Sequence, residues 1–161
     1  MLDHNQAGAL TPTLGKLQKA GYTLVIIDTP GIDSHGTRGA MQTADLCLIP
    51  VRPSEADVKA TMPTVSALHA MGKQFALVVN QASTNRQARI TSAVTTRLST
   101  SGAVVPVPIA QRIDHQYAYA LGQGVSEYAP EGKAAEEVAD LWNWCRKQLE
   151  VNHGQQTKRR A

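Results

Sequence analysis

The sequence predicts an α/β fold, a parallel sheet covered by helices on both faces. Three observations predict it. Short runs that are apolar throughout recur along the chain, as in LVII, LCLIPV, FALVV and AVVPVPI. Segments with helix start and stop signals separate them. Strands buried on both faces read as unbroken apolar runs, and helical crossovers between them make the pairing parallel.

The elements follow in order. Thr11-Pro12 opens a helix as N-cap and first-turn proline, and Gly21 closes it. Tyr22–Ile27 reads as the first strand, ending in Asp28-Thr29-Pro30-Gly31. Thr37–Ala44 is a short helix and Leu46–Val51 the second strand. Ser54 caps a helix from Glu55 to about Met71, which Pro63 is expected to kink and Gly72 to end. Phe75–Asn80 is the third strand, Arg86–Ser101 a helix, and Ala103–Ile109 the fourth strand. Asp114–Leu121 is helical, and a loop with Gly122 and Gly124 follows. The last helix is expected over Lys133–Val151. There Val138, Leu141, Trp142, Cys145 and Leu149 recur at helical spacing, so both tryptophans read as packing residues.

The 161 residues suffice for one domain with a real core. That domain is expected over residues 1–151, with 152–161 as a basic disordered tail. Apolar content of 42% and charged content of 18% read as globular. No apolar run approaches the roughly 18 residues of a membrane span. The N-terminal MLDHNQAGAL lacks the charged-then-apolar layout of a signal peptide, so a cytoplasmic protein is expected. Cys47 and Cys145 show no metal spacing and read as buried thiols. The net charge is +3, and Lys158, Arg159 and Arg160 hold all of it, because the other 13 Lys and Arg equal the 13 Asp and Glu. Such a terminus is either a solvated end or a weak, nonspecific attractor for an anionic polymer.

Ligands of open parallel sheets bind beyond the carboxyl ends of the strands. Asp28, Arg52, Asn80 and the segment after Ile109 are predicted to lie there. A carboxylate at Asp28 can hold magnesium through water, and Gly31 lets a backbone N–H approach a terminal phosphate. Alternatively Asp28 only caps the next turn. The third strand ends in Asn80-Gln81-Ala82-Ser83, without the Lys and Asp of an Asn-Lys-x-Asp guanine reader. Guanine recognition is therefore not expected.

GYTLVIIDTPG, ADLCLIPVRPS, VVNQ and QRIDHQYAYALGQGVSEYAPEGKAAEEVADLW come in the order found in the ParA/MinD family. Over about residues 10 to 150 the chain resembles these deviant Walker ATPases, which partition plasmids and chromosomes or position division sites. The resemblance implies a P-loop NTPase-like fold, ATP with Mg2+, dimerisation, nonspecific DNA binding and a ParB-like partner protein, with a nucleoid-associated location. It makes Asp28 the Walker B carboxylate, holding Mg through water, and Thr29, Pro30 and Gly31 the start of switch II. It makes Asn80 the asparagine that hydrogen-bonds adenine; otherwise Asn80 is a strand-end turn residue. The segment after Pro108 becomes the loop closing over the base. Arg112 matches an arginine common in that loop; otherwise it is a solvated loop charge. DNA contacts would fall to Lys158, Arg159 and Arg160, with Arg86, Arg89 and Arg97 next.

One expected element has no match. The family cradles phosphates with K-G-G-x-G-K-[ST]-[ST], and Gly8 to Leu17 (GALTPTLGKL) fails it. Its glycine spacing is wrong, Leu17 stands where Ser or Thr must meet magnesium, and no strand precedes it. Lys16 reads as an exposed helix lysine. The chain is therefore expected to be the C-terminal two-thirds of a partition ATPase, shortened naturally or starting at an internal methionine. It would lack the first strands and be unable to hydrolyse ATP by itself. One rival is a non-catalytic regulator pairing with a full-length copy. Another is a related enzyme acting on a small molecule, for which Cys47 and Cys145 do not provide the paired cysteines of an iron–sulfur site.

Overall fold

The structure, a computed structural model, describes residues 10–32, 34–85 and 89–160, with side chains to Glu150. Where one domain over residues 1–151 is expected, it divides into two compact units, Met1–Asp45 and Leu46–Ala161. The three strands among the described residues belong to the second unit.

In the first unit, α1 spans Leu10–Lys19. Gly21 ends it at φ +88. Its N–H donates to the Gln18 carbonyl and that of Tyr22 to the Leu17 carbonyl, each over about one helical turn. This is the left-handed closure for which glycine is the least costly residue. Helix α2, His35–Thr43, starts two residues before the expected Thr37. Ser34 caps it by accepting the Thr37 N–H at 3.1 Å. The buried Thr37 hydroxyl donates back to the Ile32 carbonyl at 3.0 Å.

The predicted strand Tyr22–Ile27 does not form. Residues 23–30 have no regular structure, and Leu24, Val25 and Ile26 are exposed, Ile26 by 83%. An apolar run becomes a strand only when a neighbour takes up its N–H and C=O groups. Apart from the Tyr22 N–H, which closes α1, no described residue of this unit takes up the run's backbone groups.

The second unit is built on a parallel sheet of order β1-β2-β3. The strands are β1 (Cys47–Val51), β2 (Phe75–Val79) and β3 (Ala103–Val104). β1 runs in register with β2 from Cys47 opposite Phe75 to Val51 opposite Val79. All five residues of β2 are buried, as expected for a strand with neighbours on both sides. β1 is at the sheet's edge, and Leu48 and Pro50 are exposed, so its apolar run is not covered on both faces.

Helix α3 (Glu55–Ala70) joins β1 to β2 and continues through Pro63. Ser54 caps its start by accepting the Asp57 N–H at 3.1 Å. Gly72, at φ +62, closes its end as Gly21 closes α1. Helix α4 is described over Arg89–Ser99; its expected start at Arg86 lies outside the described residues. The predicted fourth strand shrinks to β3, because Pro106 and Pro108 have no N–H for a ladder. Pairing resumes beyond them, where Ile109 N–H donates to Val79 and Ala82 bridges Ala110.

Three helices complete the unit: α5 (Ile113–Ala120), α6 (Val125–Tyr128) and α7 (Lys133–Arg160). Val138, Leu141 and Trp144 of α7 pack on Ala76, Val78, Val105 and Ile109, covering one sheet face. Trp142 is 44% exposed, so only Trp144 serves packing as expected. α7 runs through to Arg160, so the tail expected to be disordered is helical.

Candidate functional site

The parallel register brings Val51, Val79 and Ile109 to one carboxyl edge of the sheet. Three predicted site segments of the second unit meet there. After β1, Arg52 donates from Nε and Nη2 to Asp57 at 3.1 and 3.0 Å. The Ser54 hydroxyl also bonds Asp57. That hydroxyl, and secondarily Arg52, hold the Asp57 carboxyl below the usual carboxylate range. Arg52 is therefore engaged with the first turn of α3.

After β2, the Asn80 N–H donates to the Val51 carbonyl at 2.9 Å. Its side-chain Oδ1 accepts the Gln81 N–H, also at 2.9 Å. Gln81 is in the left-handed region at φ 52, unusual for a residue with a side chain. The turn carries the chain across to the next loop. There Ala82 N–H donates to Ile109, and Gln111 N–H donates to Ala82. Val79 and Ala82, on either side of Asn80, are thus joined to Ile109 and Gln111 by backbone hydrogen bonds, while Asn80 itself bonds Val51 and Gln81.

Arg112 is not a solvated loop charge. Its Nε and Nη2 donate to Glu137 Oε1 of α7 at 3.0 and 2.6 Å, and the other carboxylate oxygen accepts the Ala110 N–H at 3.1 Å. Both side chains are largely covered. Glu137 raises the Arg112 pKa above its ordinary value, with Asp114 and Glu136 adding to it. Sequence reasoning did not single out Glu137; it stands in the stretch resembling the family but lies 25 residues from its partner. Only the approach of α7 to the sheet edge reveals its role.

In the first unit, Asp28, Thr29, Pro30 and Gly31 are exposed on the irregular segment, not at the end of a buried strand. A Cβ built on Gly31 meets nothing within 4 Å, so no close approach requires glycine there. Lys16 is exposed on α1, and the second glycine weighed for a phosphate cradle, Gly15, lies inside that helix. Among the described residues no three His, Cys, Asp or Glu converge as metal ligands. Gly15 and Lys16 lie within α1, where their N–H groups bond along the helix, and among the described residues nothing converges on Asp28 to fix an ion, so these residues do not fit a magnesium triphosphate. Among the described DNA candidates, Arg97 is paired with Glu55 of α3, which lowers the Glu55 pKa. The side chains of Lys158, Arg159 and Arg160 lie outside the described residues, as does Arg86.

The family model described as cellulose biosynthesis protein BcsQ matches residues 2–146. Maintenance of carboxysome distribution protein A from Halothiobacillus neapolitanus is 29% identical over 136 residues, or 80% of this chain and 62% of that protein. The crystal structure of the cell division ATPase MinD of Pyrococcus furiosus matches with a TM-score of 0.71 at 18% identity. That match covers 88% of this chain and 58% of MinD, and it shows the fold. The chain therefore spans about three-fifths of the length of each relative. No helix among the described residues is long and apolar enough to cross a membrane. With the parallel sheet, its carboxyl-edge loops and the family match in agreement, the chain belongs to the BcsQ family within the ParA/MinD group.

Proposed function

We propose that this chain works in spatial positioning, as a plasmid or chromosome partition protein of the ParA type. By its own residues it forms the base-side edge of a nucleotide site without the phosphate side. The named relatives support a positioning role, since one maintains carboxysome distribution and the other is a cell division ATPase. The observation that carries the division of labour is the contrast between two places. The residues flanking Asn80, Val79 and Ala82, are held to Ile109 and Gln111 by backbone bonds, whereas Asp28 stands exposed on an irregular segment.

Hydrolysis requires amides and a cation held against the phosphates before the transition state forms. This chain alone is therefore inactive as an ATPase. Its roles are nonspecific DNA binding, contact with a ParB-like partner, and dimerisation with itself or with a complete copy. Calorimetry with ATP and Mg2+ tests the nucleotide half of the proposal. The expected result is weak or no heat; a micromolar or tighter affinity would overturn it.

A further inference from the structure

Two parts of the chain carry complementary backbone groups. The first is the outer edge of β1. In a parallel ladder, alternate residues of a strand bond the same neighbour. The Cys47 N–H donates to the Gln74 carbonyl, and the Val51 carbonyl accepts the Asn80 N–H. Cys47, Ile49 and Val51 therefore turn their backbone groups toward β2, and Leu48 and Pro50 turn theirs away. Among the described residues no strand lies beyond β1. Pro50 leaves the ladder with β2 intact, because its missing N–H falls on the open side. That edge of β1 offers one N–H, of Leu48, and the carbonyls of Leu48 and Pro50.

The side chains at this edge are bare as well. The register places Leu48 beside Ala76 and Pro50 beside Val78, on one face of the sheet. Helix α7 packs on Ala76 and Val78, yet Leu48 is 41% exposed and Pro50 is exposed. The second part is residues 24–27, an apolar run of strand composition. Leu24 and Val25 are 44% and 40% exposed, and Ile26 more so. Neither residues 24–27 nor residues 46–51 include a charged side chain. Pro30 lies outside the run, so all four of its residues carry a backbone donor. A sheet edge without a neighbour and an exposed apolar run without a ladder are the two halves of an added strand.

We propose that residues 24–27 of one copy add to the outer edge of β1 in a second copy as a fourth strand. N–H groups of the run donate to the Leu48 and Pro50 carbonyls, a carbonyl of the run accepts the Leu48 N–H, and its side chains cover Leu48 and Pro50. Each copy carries both halves, so the exchange is reciprocal and closes as a twofold pair. The inference rests on the dimerisation in the proposed function, for which it names the two surfaces.

Sedimentation equilibrium of the full chain and its variants tests it. Leu48→Pro removes the one N–H that the edge offers and, like Pro50, leaves the bonds to β2 in place. Leu48→Lys, at an exposed position, blocks the edge by charge and serves if proline disturbs the fold. Each should weaken association by about tenfold or more, as should Ile26→Lys. The decisive sample mixes Leu48→Lys with Ile26→Lys. One variant keeps the run and the other keeps the edge, so the mixture should form a one-to-one pair at concentrations where each alone is monomeric. A mixture that stays monomeric overturns the inference. Unchanged association of both Leu48 variants also overturns it, while leaving dimerisation through another surface. An unmodified chain that is monomeric at every concentration removes dimerisation as well. If residues 24–27 of that monomer resist hydrogen exchange, the edge belongs to the chain's own run.

Discussion

Glu137 shows how one side chain organises the carboxyl edge. It takes three N–H groups, two from Arg112 and one from Ala110, and so ties α7 to the loop beyond the prolines. Glu137→Ala leaves the Arg112 guanidinium partly covered and without its counter-charge, so a loss of about 2–3 kcal/mol is expected. Glu137→Gln keeps the shape and should lose less. Urea unfolding of the two variants measures both. Two other carboxylates carry a pH dependence. Arg97 lowers the pKa of Glu55, and Ser54 with Arg52 lowers that of Asp57. A lowered folded pKa stabilises above the unfolded value, about 4, and the gain is lost as pH falls through the folded value. The melting temperature should therefore drop on acidification below about pH 4, more shallowly in Arg97→Ala. Glu55 is exposed and Asp57 partly so, so salt should shrink the effect, most for Glu55.

At the scale of elements, local chemistry was legible wherever it was self-contained. Ser54 and Gly72 bound α3 by hydrogen bonds within its own turns, and β2 is the fully apolar run it reads as. The fourth strand was overread, although the reason stood in the sequence: Pro106 and Pro108 leave two positions without a donor. The first strand was overread for a reason no local pattern contains. Leu24–Ile27 has strand composition, but strand formation depends on a neighbour. An exposed run of this kind is a template for pairing between chains. The chain is expected to self-associate, and Ile26→Lys to reduce this without lowering the melting temperature. Sedimentation velocity with a thermal melt checks it; a monomer at high concentration would show that the run pairs with nothing.

For the whole molecule, charge is the readable property. The body is balanced and the end of α7 carries the surplus. Arg97 is paired with Glu55, which leaves it a weaker candidate for phosphates than the sequence suggested. Removing residues 158–160 should weaken any DNA binding the chain has. It should also reduce the slope of log affinity against log salt by roughly 0.9 per lost phosphate contact. Titrations at several salt concentrations measure the slope; an unchanged value would move the contacts to the body.

The sequence by itself determined the parallel α/β class, the caps of α3, the buried central strand and the family. Each depends on composition, spacing and hydrogen bonds within a few residues. Only the tertiary structure decided which site residues meet. It joined the turn that holds Asn80 to the Pro108–Arg112 loop through Val79 and Ala82, enclosed Arg112 with Glu137, and left Asp28 on an exposed segment without a strand. The physical reason is common to all three. A strand, an ion pair or a metal ligand is completed by a group distant in sequence, and its presence depends on packing rather than on local pattern.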